Sequence, residues 1–199
     1  MYFRYGKRVF DAALALACLT VVFVPMGFVA LAVLITSGRP VFFIQNRVGR
    51  GGRLFRVIKF RTMNAGISNF SSVTVAGDAR VTPVGRLLRK YKLDEVPQLW
   101  NVLKGEMSFV GPRPDVPGYH DKLRGNDRRV LLLRPGITGP SSLKYADEEK
   151  ILAGPADPVA YNNTVIFPDK VRINLKYLDE CSLFRDLGYI WKTVLLVFR

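Results

Sequence analysis

The sequence predicts an α+β fold: a small helix-rich domain with a short strand element, an N-terminal re-entrant membrane helix hairpin and interfacial amphipathic helices. Three observations carry it. Residues 12–36 form a run of twenty-five residues without a charge. Further on, apolar residues recur at helical spacing between turns marked by proline and glycine. Only residues 56–61 alternate as a strand does. The 199 residues carry 30 Lys and Arg against 16 Asp and Glu, a net charge of +14, yet 49% of them are hydrophobic. That hydrophobicity excludes intrinsic disorder. Two cysteines are too few for a disulfide scaffold. A mean hydropathy of +0.12 beside so much charge means that apolar and basic residues are segregated along the chain.

The uncharged run comes first. As a helix it would reach about 37 Å, enough to cross a hydrocarbon core of about 30 Å. It is apolar on every side, which argues against a buried soluble helix. It exceeds the apolar region of a signal peptide, and the residues that follow it offer no small-residue cleavage site. Arg4, Lys7 and Arg8 precede the run; Arg39, Arg47, Arg50 and Arg53 follow it. Basic flanks favour the cytoplasmic side, and here both flanks make the same demand. Pro25, near the middle, lacks the N–H of an intrahelical bond and kinks the helix. A helix that bends at Pro25 and returns satisfies both flanks. The alternative is that the larger downstream charge wins and the helix spans.

Residues 12–77 contain no acid; Asp78, Asp94 and Glu95 come next. Seven basic residues lie within 39–61 and five more within 80–92. Beside a membrane segment, such a block suits anionic lipid or a phosphorylated substrate better than nucleic acid, and no nucleic-acid partner is expected. As a strand, residues 56–61 place Arg56 and Ile58 on one face and Lys59 and Arg61 on the other.

Thr82-Pro83 is a helix start, with Thr as N-cap and Pro at the first position. Val84, Leu87, Leu88 and Tyr91 follow at helical spacing. A second helix is expected over about 96–103, with Gly105 ending it. Residues 111–117 hold three prolines and read as a loop, and RPGITG at 134–139 as a turn. The acidic run at 147–149 reads as a solvated helix face. Pro155, Pro158 and Pro168 divide the next region into short pieces. Near the end, Leu183, Phe184, Leu187, Ile190, Trp191, Val194 and Leu195 form an apolar stripe, with Asp186 and Lys192 off it. That helix packs on the core or lies at the membrane interface, where Lys192 and Arg199 would meet headgroups.

Asp94-Glu95 is the candidate centre. The pair follows the acid-free basic stretch and stands beside a proline-marked helix start, whose dipole stabilises anions. Arg89, Lys90 and Lys92 are close in sequence and favour ionised carboxylates. Such an Asp can attack phosphorus, or the pair can hold a magnesium ion. There is no phosphate-binding glycine loop and no nucleophile elbow. His120, the only histidine, reads as a surface residue, and no zinc site can be assembled.

LDEVPQLWNVLKGEMSFVGPRP at residues 93–114 strongly resembles the bacterial initiating sugar transferases, the monotopic polyprenyl-phosphate phosphoglycosyl transferases. KFRTM at 59–63, RVTPVGRLLRK at 80–90, RPGITG at 134–139 and SLFRDL at 182–187 agree in order, so the resemblance covers nearly the whole chain. It implies two regions: a membrane-inserted helix over 1–38, re-entrant and broken at Pro25, and a cytoplasmic catalytic domain over 39–199 at the bacterial inner membrane. It implies transfer of a sugar 1-phosphate from a UDP-sugar to a polyprenyl phosphate, with UMP released. Asp94 would be the nucleophile and form a phospho-aspartyl sugar. Glu95 would serve the magnesium ion and the site geometry, and Asp94 and Glu95 together are the expected Mg2+ ligands. Arg89 and Arg113 would hold phosphate oxygens, with Lys59 and Arg61 of the basic strand expected at the substrate as well. The partners are the UDP-sugar, polyprenyl phosphate and membrane lipid. The oligomeric state is open, a homodimer included.

Three positions depart from the family pattern. Val24 stands where Ser commonly precedes the kinking proline, so the kink rests on Pro25 alone. Thr62 replaces a Ser and keeps the hydroxyl. Asn174 stands where an Asp is common, with Asp169 the candidate to compensate. A membrane-tethered basic adaptor that binds anionic lipid or nucleic acid without catalysis is the competing class; it explains the charge and the apolar run but not the block at 93–114. An enzyme that transfers directly within a ternary complex is a second alternative.

Overall fold

The computed structural model describes residues 2–64 and 80–197. Asp78, Arg199 and the side chain of Arg4, used above, lie outside the described residues. Helix α1 runs over Lys7–Ser37, as one helix with Pro25 inside it. A single stripe of α1 faces the rest of the chain. Lys7, Asp11, Ala15 and Val33 are buried. Cys18, Leu19 and Val22 pack against the main core, and Met26, Val29 and Ala30 against a second cluster around Val33, Phe60 and Leu88. These positions recur every three or four residues, as one helix face requires. The opposite face, with Val21, Phe23, Val24 and Phe28, is exposed.

Strands β1 (Phe42–Val48) and β2 (Leu54–Phe60) form an antiparallel hairpin in which Gln45 faces Val57 and Phe43 faces Lys59. Along β2 the inner face carries Phe55 and Val57, while Arg56 is exposed. Helix α2 (Pro83–Lys90) starts as its sequence predicts: the Thr82 hydroxyl accepts from the Gly85 N–H at 2.9 Å. A Cβ on Gly85 would lie 2.2 Å from the Thr62 carbonyl oxygen, so only glycine lets α2 come this close to the end of β2. Helix α3 (Gln98–Lys104) follows Pro97 and ends at Gly105, whose φ of 85° suits a residue without Cβ.

Asn101 of α3 is fully buried and fastens α3 to β2: its amide donates to the Arg56 carbonyl at 2.8 Å and its Oδ1 accepts from the Ile58 N–H at 3.2 Å. Strands β3 (Ser108–Val110) and β4 (Gly136–Thr138) pair in parallel. RPGITG therefore contains a short strand and is more than a turn. A Cβ on Gly136 would lie 2.2 Å from the Gly111 nitrogen, and one on Gly111 2.2 Å from the Arg134 carbonyl oxygen, so the two glycines let the 111–117 loop lie against 134–139.

Short helices α4 (Pro140–Lys144), α5 (Glu148–Ile151) and α6 (Pro158–Tyr161) lead into α7 (Phe167–Glu180) and α8 (Leu183–Val197). The apolar stripe of α8 faces outward, with Phe184 and Trp191 exposed. Its off-stripe Asp186 points inward, is fully buried, and accepts hydrogen bonds from Lys7, Tyr2 and Tyr177. The side that meets the protein carries Asp186 with Tyr189 and Ile190, while Lys192 is exposed. Helices and two small sheets thus give the α+β class.

Candidate active site

The chain leaves α2 through Lys92, which has φ of 55°, an uncommon value for a residue with a Cβ. That turn places Asp94 and Glu95 in one helical turn over Leu93–Glu95, ahead of α3. Both are buried, and Glu95 receives the side chains of two separate segments. Lys59, from the end of β2, donates to Glu95 Oε1 at 2.7 Å. Arg113, from the proline-rich loop, donates to the same oxygen at 2.8 Å. Burial would raise the Glu95 carboxyl, yet Arg113 and Lys59 hold it well below the usual carboxylate range. The Glu95 carboxylate in turn raises the Arg113 guanidinium, while burial lowers the Lys59 ammonium against the pull of Glu95. Glu95 is thus a fixed anion that aligns two cations.

Asp94 is different. Burial raises its carboxyl above the ordinary value, and the Glu95 charge pushes the same way, with Lys59, Arg89 and Lys92 pulling back. Its Oδ1 is buried without a hydrogen-bond partner among the described residues. A buried carboxylate oxygen that the protein leaves unpaired is costly unless something else takes it. An oxygen left available in this way suits a nucleophile or a cation ligand.

Arg89 projects from α2. Its Nε donates to the Thr62 hydroxyl at 3.0 Å, and Nη1 to Glu149 Oε1 at 3.4 Å. The acidic run at 147–149 is therefore not merely a solvated face. Glu149 reaches Arg89, and Glu148 accepts from Lys170 at 2.7 Å on both oxygens. No local pattern foretells this contact, because Arg89 and Glu149 lie sixty residues apart.

Arg61 is placed elsewhere. Its buried guanidinium donates to the carbonyls of Ser37, Gly38 and Arg39, at the end of α1, and not to the carboxylate pair. His120 is buried, not on the surface, with Nδ1 3.0 Å from Asp115 Oδ2. Asn174 is buried, and its Oδ1 accepts from the Ser141 hydroxyl at 3.0 Å, so this position works as a neutral hydrogen-bonding group. Asp169 does not take its place: it binds Lys144, Tyr145 and Arg172.

Among the described residues no cluster of three or more His, Cys, Asp or Glu could hold a metal. Two adjacent carboxylates, with one buried oxygen unpaired among the described residues, do fit Mg2+, which binds through one or two carboxylates and takes its remaining ligands from water and substrate phosphates.

The buried carboxylate pair thus lies among the positive charges of Lys59, Arg89, Lys92 and Arg113. Residues 2–199 match the bacterial sugar transferase family. The chain belongs to that family. It is 37% identical over 194 residues to a UDP-glucose:undecaprenyl-phosphate glucose-1-phosphate transferase of Caulobacter vibrioides, covering 94% of this chain and 68% of that protein. It is 33% identical over 199 residues to a UDP-N-acetylgalactosamine-undecaprenyl-phosphate N-acetylgalactosaminephosphotransferase of Aeromonas hydrophila, covering 96% and 43%. It is 33% identical over 173 residues to a galactosyl transferase of Streptococcus agalactiae, covering 81% and 35%. The chain thus spans less than half the length of the last two.

Proposed function

We propose that the chain transfers a sugar 1-phosphate from a UDP-sugar to a polyprenyl phosphate such as undecaprenyl phosphate, with release of UMP, through a phospho-aspartyl intermediate on Asp94. The observation that carries this reading is the asymmetry of the pair. Glu95 Oε1 takes both Lys59 and Arg113, whereas Asp94 Oδ1 is buried with no hydrogen-bond partner among the described residues. The names of the Caulobacter and Aeromonas relatives, which act from UDP-sugars on undecaprenyl phosphate, point the same way.

In the first step Asp94 Oδ1 attacks the phosphorus that bears the sugar. The bond from that phosphorus to the bridging oxygen breaks, and UMP leaves with the electron pair. In the second step a phosphate oxygen of the polyprenyl phosphate attacks the same phosphorus. The Asp94 carboxylate is restored, and a polyprenyl diphosphate sugar forms. The diphosphate brings several negative charges, and arginine presents a planar fork to phosphate oxygens. Arg89 and Arg113 fill that role, with Lys59 adding charge from the other side of Glu95. Asp94 and Glu95 would hold Mg2+, which neutralises phosphate charge when bound.

The proposed topology is monotopic, with the catalytic domain over 39–199 on the cytoplasmic face and residues 1–38 re-entrant about Pro25. Its support is that both ends of α1 grip the same domain. Near the start, Arg8 donates to the carbonyls of Val102 and Leu103 at 2.6 and 2.7 Å, and Asp11 accepts from the Phe109 N–H at 3.1 Å. At the far end Arg61 donates to the carbonyls of Ser37 and Gly38. The outward stripe of α8, with Trp191, suits the interface.

The test is UMP release from UDP-glucose, UDP-galactose and UDP-N-acetylhexosamines, with undecaprenyl phosphate and Mg2+ present. Release that depends on the lipid phosphate and vanishes in Asp94→Asn supports the reading. Lipid-dependent release at the normal rate in Asp94→Asn refutes it.

A further inference from the structure

Arg61 lies one residue beyond β2 and is buried. Its Nη1 donates to the Arg39 carbonyl at 2.9 Å, and its Nη2 to the Gly38 carbonyl at 2.7 Å and to that of Ser37. The last carbonyls of a helix lack intrahelical donors and carry the negative end of its dipole. One guanidinium therefore closes the C-terminal end of α1. The neighbours of Arg61 serve the site: Lys59 reaches Glu95, and the Thr62 hydroxyl accepts from Arg89. Phe60 between them packs on Val33 of α1 and Leu88 of α2. Four consecutive residues thus tie the end of the membrane helix to both sides of the active site.

We propose that Arg61 is a positioning residue that fixes the active site relative to the bilayer, so that the phosphate of a membrane-embedded acceptor meets Asp94 at the right depth. The inference rests on the transferase reading above and assigns Arg61 no contact with substrate. The acceptor chain is anchored in lipid and its phosphate sits at headgroup level. A site that tilts or lifts by a few ångströms loses that phosphate while still meeting a soluble donor. Distance errors of about 1 Å cost about a hundredfold in well-oriented reactions.

The experiment uses the whole chain in nanodiscs and two acceptors: undecaprenyl phosphate in the bilayer, and a two-isoprene polyprenyl phosphate supplied from water. In Arg61→Gln the KM for the bilayer acceptor should rise about tenfold or more, with the KM for the UDP-sugar within about twofold. With the soluble acceptor, kcat/KM should stay within about threefold of the unaltered protein. Equal loss with both acceptors would place Arg61 at the substrate and overturn the proposal; so would no loss with either.

Amide exchange reads the clamp without activity. The last turn of α1 should exchange about tenfold faster in Arg61→Gln while α3 keeps its protection. Unchanged exchange there overturns the proposal. If α3 also loses protection, the domain has unfolded. Arg61→Lys, which keeps a charge but loses the planar fork that spans the three carbonyls, then takes its place with the two acceptors: a loss confined to the bilayer acceptor supports the proposal, and equal loss or no loss overturns it. If the unaltered protein turns over neither acceptor, the transferase reading fails, and the exchange measurement still decides whether Arg61 holds α1.

Discussion

Arg113 Nη2 stands 2.8 Å from Glu95 Oε1, the same oxygen that takes Lys59 at 2.7 Å. One carboxylate oxygen therefore orients two cations from two different segments. Replacing Glu95 by Gln removes the anion and leaves both cations to repel each other and swing free. Glu95→Gln should lower kcat/KM by about a hundredfold, since hydrogen bonds to charged groups contribute about 1.5–3 kcal/mol each. Arg113→Lys should be clearly impaired as well, because a point charge replaces a fork. Steady-state kinetics check both, and full activity of Arg113→Lys would reduce Arg113 to a steering charge.

The pH dependence follows from Asp94. Its carboxyl is raised by burial and by Glu95, and only the carboxylate can attack. Activity is therefore present above the raised value and lost as pH falls through it. The acid limb of kcat/KM should have its midpoint above the ordinary aspartate value of about 3.9. Lys59 lowers the Asp94 carboxyl, so Lys59→Gln should move the limb to higher pH. A limb that moves to lower pH would contradict this.

Thr62 holds Arg89 through its hydroxyl at 3.0 Å. Thr62→Ser keeps the hydroxyl and should retain most of the activity. Thr62→Val keeps the shape and loses the acceptor, and should raise the KM for the UDP-sugar by about tenfold or more, a hydrogen bond to a charged group being worth about 1.5–3 kcal/mol. Equal kinetics for the two variants would show that Thr62 does not orient Arg89.

Lys7 and Asp186 form a buried pair at 2.6 Å that joins α1 to α8, with Tyr2 donating to the same carboxylate oxygen. Removing one partner of such a pair leaves an uncompensated buried charge and costs about 3–5 kcal/mol. Lys7→Met should lower the melting temperature strongly, as followed by circular dichroism in detergent. The double variant Lys7→Met, Asp186→Leu should recover part of the loss, because no lone charge remains. A double variant less stable than the single one would contradict that explanation.

Local chemistry made part of this legible in the sequence. The Thr82-Pro83 start, the Gly105 stop and the Asp94-Glu95 pair were readable because each depends on neighbours a few residues away. The pairing of β3 with β4 was not, since three-residue strands show no periodicity. For α8, spacing shows an apolar stripe with Asp186 off it, but nothing local shows that Asp186 turns inward to Lys7, Tyr2 and Tyr177. Arg61 lies in a basic run and read as a phosphate ligand, because nothing local shows that the end of α1 returns to it. Glu149 on Arg89 depends equally on tertiary structure, being sixty residues away.

The central claim is that Asp94 becomes covalently bonded to phosphorus. A UDP-sugar labelled with 32P at the sugar-bearing phosphate, mixed with the protein and Mg2+ but no lipid acceptor, tests it most directly. A phospho-aspartyl intermediate predicts a burst of UMP close to one equivalent per chain, with label retained on the protein, mapped to Asp94 and chased into lipid when polyprenyl phosphate is added. It predicts neither burst nor label in Asp94→Asn. Lipid-dependent turnover with no burst and no protein-bound label would instead show direct transfer between the two substrates and contradict it.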